Sequence, residues 1–529
     1  MRIEARSPSG TPLATSWLND EPTARGLLSR DPRASASYVA KAKEIDARVG
    51  QEERRIAASC LVGGGESAAK RLRSFLDDRG FVVTTGQQPG LLGGPLYGLY
   101  KGLTAAALAR RMETLLGRPV LPVFWIASED HDWDEARSTH VIDVGNDLQE
   151  ISLPPGEPGL DRPLYQTPAG PEVLEALNRF QALMPDTEFL PHWKELLDRA
   201  YQPELSLAES YQEVLEALLG PSGVFLVQSH HPELKARALP ILLQELRESE
   251  AREAAQQVNA ASIEAAGFGL QVPLIPQATN VFVQGETRRE RVFRDGAGFR
   301  LRGSERKVSY EELEALGTEA PWRLSPNVLL RPVVESVLFP TLSYVAGPGE
   351  TSYLPQTAPV FAGLGIEMPV IHPRVSLTVI ETKIDKVLIK FDLSLDDLDV
   401  PPQELAGKLA RENIPEDIQA ALATLRQSLG AGAQALADSV SRLDPTLSGP
   451  AQAFRKQSFG LLTDVERKIV QSLKRENETT LSQVAKAQAH LFPTGQPQER
   501  IFNPFYYLIR YDQGFLTELQ RHAEEAVLP

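Results

Sequence analysis

The densest group of ionisable side chains in this 529-residue chain is Glu129-Asp-His-Asp-Trp-Asp-Glu135, which sets five carboxylates around one imidazole. Opposite charge nearby favours the imidazolium form of His131, which suits stabilisation of a phosphate or general-acid work. In its neutral form the same ring is a base. Asp130 and Asp132 flank it, and they orient the ring or hold a substrate ammonium group. Ser128 and Glu129 stand just before it. Histidine among carboxylates is also a donor set for divalent ions. A metal-free substrate site, a metal site and a solvated acidic turn are thus three readings of one segment.

A second candidate is the loop Gly86-Gln-Gln-Pro-Gly-Leu-Leu-Gly-Gly-Pro95. Glycines let backbone amides approach a ligand, and the N-terminus of a following helix favours an anion. The lysine-containing pattern of a P-loop is absent. Gln87 and Gln88 add amide donors, while Tyr97 and Lys101, four apart, share one helix face. The plainer reading is a tight turn that needs glycine for packing. Further on, Asn327 and Arg331 lie at helical spacing in an apolar stretch, where Arg331 needs a structural carboxylate or an anionic substrate. Glu350 opens another helix, where its charge already suits the helix dipole. Arg374 follows the last core strand as a further anion contact. His230 and His231 end a strand without a spaced third ligand, so zinc is weakly supported there.

The elements that must hold these residues follow an α/β order. Phe81 to Thr85 and Leu121 to Ala127 read as buried strands, with the helix Leu96 to Leu116 between them. Strand, glycine-rich turn, helix, strand and polar turn open a doubly wound unit, whose ligands sit beyond the C-terminal strand ends. Both polar loops are therefore predicted to face one crevice. The organisation expected is N-terminal helices and half of a core over 1–145, an insertion over 146–222, and a core strand with a long helix over 223–271. A small β-rich insertion over 272–323 and the second half of the core over 324–376 follow. The segment 377–529 is expected to be helical, because Ile418 to Leu443 and Val465 to Leu491 carry three-four apolar spacings of an antiparallel hairpin.

With 70 acidic and 55 basic residues the net charge is -15, which disfavours nucleic acid or an anionic membrane as partner. One cysteine, Cys60, excludes an internal disulfide and suits a reducing cytoplasm. It reads as a small apolar residue rather than a reactive thiol. No run is long enough to span a bilayer, and no secretory signal pattern opens the chain.

Five segments together carry a resemblance. Thr85 to Lys101, Val123 to Glu135, Leu324 to Pro332, Val345 to Glu350 and Leu491 to Arg500 look like the motifs of the bacillithiol biosynthesis cysteine-adding family, in order along most of the chain. The resemblance implies a Rossmann-like, nucleotidyltransferase-type core with connecting-peptide insertions, similar to class I aminoacyl-tRNA synthetases, and a C-terminal coiled-coil region with dimerisation. It also implies a cytoplasmic ligase that joins cysteine to glucosaminyl malate, with ATP-Mg as a candidate for activating the carboxyl group. In that frame Gln87, Gln88, Tyr97 and Lys101 contact substrate or nucleotide, His131 moves a proton, and Asn327, Arg331 and Arg374 meet the malate carboxylates. The histidine pair before Pro232 departs from the family pattern. The rival expectations are a metal-dependent hydrolase using His131, and a non-catalytic protein that recruits a partner through its hairpin.

Overall fold

The computed structural model describes residues 1–7, 10–28, 30–157, 160–302, 306–412, 414–476 and 478–527. Two compact units emerge from the chain, Ile3–Thr378 with Glu499–Pro529, and Met1–Arg2 with Val379–Gln498.

The larger unit is built on a six-stranded sheet. Strand Val120–Ile126 is a continuous apolar run, and Phe81–Gln87 opens on three apolar residues and continues through the enclosed Thr84, Thr85 and Gly86, as strands covered on both faces must be. They pair in parallel from Phe81 opposite Val120 to Gln87 opposite Ile126. Phe225–Gln228 extends the sheet in parallel beyond Val120–Ile126, and Val62–Gly63 closes that edge antiparallel. On the other side of Phe81–Gln87 lie Thr341–Ala346 and then Val370–Pro373, both parallel. Among the five parallel strands, the first in chain order, Phe81–Gln87, therefore has the second and third on one side and the fourth and fifth on the other. The winding direction reverses between Phe81–Gln87 and Thr341–Ala346, and the crevice above such a reversal is where doubly wound sheets bind ligands.

The helix Leu96–Leu116 is apolar on nearly every side and is buried accordingly. Gly117 ends it in the left-handed region at φ 62°, where a residue without Cβ carries no steric cost. Against it packs the last helix, Phe505–Ala526, whose buried aromatic face includes Phe505, Tyr506, Tyr507 and Phe515, with Phe505 edge-on to Trp193. The segment from Glu499 onward, assigned to the helical region by its sequence, thus belongs to the core unit. The reason is that this aromatic face finds its cover there.

The first insertion holds the hairpin of Ser138–Ile142 with Leu148–Ser152, and the helices Glu172–Leu183, Leu190–Ala200 and Leu207–Leu219. The second is an antiparallel five-stranded sheet. Its edge strand is Leu324–Pro326, paired with Val281 to Val283. The core does not resume at Leu324, as the sequence suggests. A three-residue strand ending in proline, which lacks an amide donor, serves as an edge instead.

The smaller unit is helical. Ile380, Ile384, Leu388, Leu398, Val484 and Leu491 are part of its apolar cluster. The helices Glu416–Leu443 and Ser448–Glu476 form the expected hairpin, with Arg426 paired to Glu466 across it. Its seam is only partly closed, since Leu425 is 50% exposed and Leu443 82%. Among the described residues no helix is long and apolar enough to cross a membrane.

Candidate active site

A cavity of about 450 Å³ opens at the C-terminal ends of the core strands, over the point where the winding reverses. Gly86, Gln87, Gln88, Lys101, Glu129, Asp130, Tyr344 and Glu350 line it from the core. Phe282, Arg289, Arg291, Pro326 and Asn327 line it from the insertion sheet and its edge, and Arg331 from the helix that follows. The two polar loops do share one crevice, as their strand-end positions predict.

Lys101 is 4% exposed and all three of its protons are committed. Its Nζ donates to the Gly86 carbonyl at 2.8 Å, Gln87 Oε1 at 3.1 Å and Glu350 Oε2 at 2.6 Å. Glu350 also accepts from the Gly347 amide at 2.7 Å and from the Tyr344 hydroxyl. Burial alone would raise the Glu350 carboxyl, but the Lys101 charge and these hydrogen bonds hold it below the ordinary carboxylate range. Arg331 donates to Glu335 at 2.7 Å and to the Tyr344 hydroxyl at 3.1 Å, so Tyr344 joins the two ion pairs. Burial pushes the Glu335 carboxyl up. Arg331 lines the cavity, yet its charge is met by the structural carboxylate one helical turn on.

Glu129 is held by Lys235, whose Nζ lies 2.5 Å from Glu129 Oε1 and also donates to the Leu324 carbonyl. Lys235 was not singled out in the sequence. A lysine in the first turn of the helix Pro232–Arg247 opposes the helix dipole, and that is the signal for a specific partner. Ser128 is fully enclosed, with its Oγ 3.0 Å from Ser229 Oγ and 2.8 Å from His230 Nδ1.

The structure moves several expected contacts elsewhere. His131 does not line the cavity, and its Nδ1 lies 3.8 Å from Asp130 Oδ1. Asp132 caps the short helix Trp133–Ala136 by accepting from the Glu135 amide at 3.0 Å, the role its position at a helix start favours. Arg374 is enclosed and bound through two nitrogens to Glu499, at 3.0 and 2.6 Å, which consumes its charge. Asn327 reaches the cavity wall, but its side chain accepts from the Leu329 and Leu330 amides and donates to Asn280. Tyr97 supports the site from behind, accepting from Gln87 Nε2 at 3.0 Å. The glycine loop follows the packing reading beyond Gln88. Gly93 donates its amide to Tyr201 and Gly94 to the Leu91 carbonyl, while Leu96 bonds Phe502. Cys60 is buried, and its thiol is pushed up to about 11 by that burial.

The residues sequence reasoning missed are Arg289 and Arg291. Neither has a carboxylate within ion-pair distance among the described residues. Their guanidinium carbons sit 4.3 and 5.1 Å from the centre of the Phe282 ring, in cation–π range. Arg289 is fixed by donating to Ser325 Oγ at 2.9 Å and the Pro326 carbonyl at 2.7 Å. Burial disfavours the charge of both, with nothing but distant Glu129 and Asp130 to compensate at Arg289. Such a pair fits a dianionic ligand. The acidic loop offers no matching metal site: among the described residues no three His, Cys, Asp or Glu side chains are placed to share an ion.

Two family profiles match the chain. One is described as the N-terminal Rossmann-like domain of bacillithiol biosynthesis BshC, over residues 1–375, and the other as the C-terminal coiled-coil domain of the same family, over 377–526. A relative from Salinibacter ruber is 32% identical over 94% of this chain and 90% of its own length. One from Heliobacterium modesticaldum is 32% identical over 94% and 91%, and one from Symbiobacterium thermophilum 32% over 97% and 95%. All three carry the name "Putative cysteine ligase BshC".

Proposed function

The chain belongs to the bacillithiol biosynthesis BshC family, and from that premise we propose that it is a ligase joining the carboxyl group of cysteine to the amine of glucosaminyl malate. The observation that carries the reading is the charge layout of the cavity. Asp130, which has no lysine or arginine partner among the described residues, offers negative charge for the cysteine ammonium group, while the charge of Glu129 beside it is met by Lys235. Arg289 and Arg291 offer unneutralised positive charge from the insertion sheet, for the two carboxylates of malate. Gln87 and Gln88 supply amide groups between them, and Lys101 fixes that loop and Glu350 rather than meeting substrate. Holding both reactants in one enclosed space removes much of the entropic cost of bringing them together.

Amide formation expels the elements of water, so the cysteine carboxyl needs a leaving group. ATP-Mg is our proposed source of it. The glycine loop, an anion-binding candidate by its sequence, keeps its Gly93 and Gly94 amides bonded within the fold. No step is therefore derived through a phosphate held there. We also place the protein in the cytoplasm as a homodimer; the single buried cysteine and the exposed apolar residues of the hairpin support that placement.

The test is to incubate the full chain with cysteine, glucosaminyl malate and ATP-Mg and to follow the amide product by mass spectrometry, with and without ATP. Product that requires ATP and releases AMP or ADP is the expected result. Folded protein that forms no product under either condition overturns the reading.

A further inference from the structure

The amine that attacks an activated carboxyl group must shed a proton as the amide forms, and nothing described so far accepts it. Glu350 and Glu335 are locked to Lys101 and Arg331, Glu129 is locked to Lys235, and Asp130 is assigned to the cysteine ammonium group in the reading above. The group that remains joins the cavity wall to a histidine. Ser229 lines the cavity, and its Oγ accepts from the Glu129 amide at 3.1 Å. Ser229 Oγ is 3.0 Å from Ser128 Oγ, and Ser128 Oγ is 2.8 Å from His230 Nδ1. The His230 ring stacks flat on Tyr165, with ring centres 4.1 Å apart and planes 4° from parallel.

The hydrogens of this chain have two consistent settings. With Nδ1 of His230 unprotonated, Ser128 donates to His230 and Ser229 donates to Ser128. With Nδ1 protonated, His230 donates to Ser128, Ser128 donates to Ser229, and the Ser229 proton is turned back toward the cavity. Passing from one to the other moves one proton between the cavity wall and the imidazole without moving a heavy atom.

We propose that Ser229, Ser128 and His230 form a proton relay that carries the departing amine proton out of the cavity to His230. The proposal rests on the amide-forming reading. In the step, the amine nitrogen forms its bond to the cysteinyl carbonyl carbon, and the leaving group departs with the electron pair of its own bond to that carbon. The surplus N–H proton passes to Ser229 Oγ, the Ser229 proton passes to Ser128 Oγ, and the Ser128 proton ends on His230 Nδ1. His230 leaves the step as imidazolium and, once product has gone, returns the Nδ1 proton along the same two serines to water entering the cavity, which restores the neutral ring with Nε2 protonated. Two enclosed serines would satisfy one another without any such role; a histidine held in line with both, at the end away from the cavity, is what the relay adds.

Burial holds the His230 ring below its ordinary range, so it stands neutral and ready to accept at neutral pH. Glu129 and Glu209 favour its charged form, whereas His231 and Lys235 oppose it. The rate should then fall as pH drops through an inflection below 6.5, where the relay's end is already protonated.

The experiment compares the wild-type chain with Ser128→Ala, His230→Gln and the double variant, all shown folded by circular dichroism. The expected result is a kcat lower by about 100-fold in each single variant, with both KM values within about two-fold. The double variant should be no slower than the slower single one, because the groups act as one unit. The acid inflection should vanish in His230→Gln, and added imidazole should restore part of the rate in His230→Ala. Nitrogen-15 NMR of the wild type should show Nε2 protonated and Nδ1 accepting. Loss of product already in the wild type sinks the amide reading and the relay together. Wild-type product with variants that keep their kcat and acid inflection, or an Nδ1-protonated neutral ring, overturns the relay alone.

Discussion

The two walls of the cavity treat charge in opposite ways. On the core wall Lys101 meets Glu350, Arg331 meets Glu335, and Tyr344 joins the two pairs. On the insertion wall Arg289 and Arg291 face Phe282 with no carboxylate within ion-pair distance among the described residues. Charges of the first kind balance one another and hold loops in place. Charges of the second kind keep their capacity for a ligand. A charged residue at a cavity therefore indicates binding only when its partner is missing, and the same residue types do two jobs around one cavity.

The largest effect that this contrast predicts is on the core wall. Lys101→Met should lower stability by about 3–5 kcal/mol, because it strands the Glu350 carboxylate in a buried setting. Urea unfolding measures this, and Lys101→Met with Glu350→Gln should recover most of the loss. If the single variant unfolds like the wild type, the lysine is not structural and the contrast fails. On the insertion wall, Arg289→Ala should cost less, about 1 kcal/mol for the lost Ser325 and Pro326 contacts, and raise KM for the proposed glucosaminyl malate acceptor about 10- to 100-fold, as loss of a charge-assisted contact does.

Acid gives a third comparison. Glu350 has a folded value below its unfolded one, so the unfolded chain takes up the proton first. Its contribution is complete above the unfolded value of 4.5 and is lost as pH falls through the lower folded value. Unfolding curves of the wild type and Glu350→Gln should therefore converge as the solution is acidified from neutral.

Much of the core was legible because strands covered on both faces leave apolar runs, complete at Val120–Ile126 and confined to Phe81, Val82 and Val83 in its neighbour. The crevice followed from strand ends alone. The identity of its working residues did not, since an arginine or histidine in a sequence carries no record of which carboxylate neutralises it. Arg374 is quenched by Glu499, 125 positions away in the chain. Arg289 and Arg291 look like the polar alternation of a solvated strand; their two-residue spacing, which puts both on one face, was the available clue. Arg331 was half legible, because its partner Glu335 stands one helical turn along. The packing of the last helix was hidden for a different reason. An amphipathic helix after a helical hairpin reads as its continuation, and nothing local says that it packs on the helix Leu96–Leu116, or that Phe505 meets Trp193 edge-on.

That late helix bears on how the chain is made. Synthesis proceeds from the N-terminus, so Leu96–Leu116 leaves the ribosome long before Phe505–Ala526 exists to cover it. For the intervening residues its apolar surface is a standing liability to self-association, of the kind that chaperones shield. Completion of the core is thereby tied to synthesis of that helix: a nascent chain halted within the hairpin would hold every strand of the central sheet and still lack this covering face.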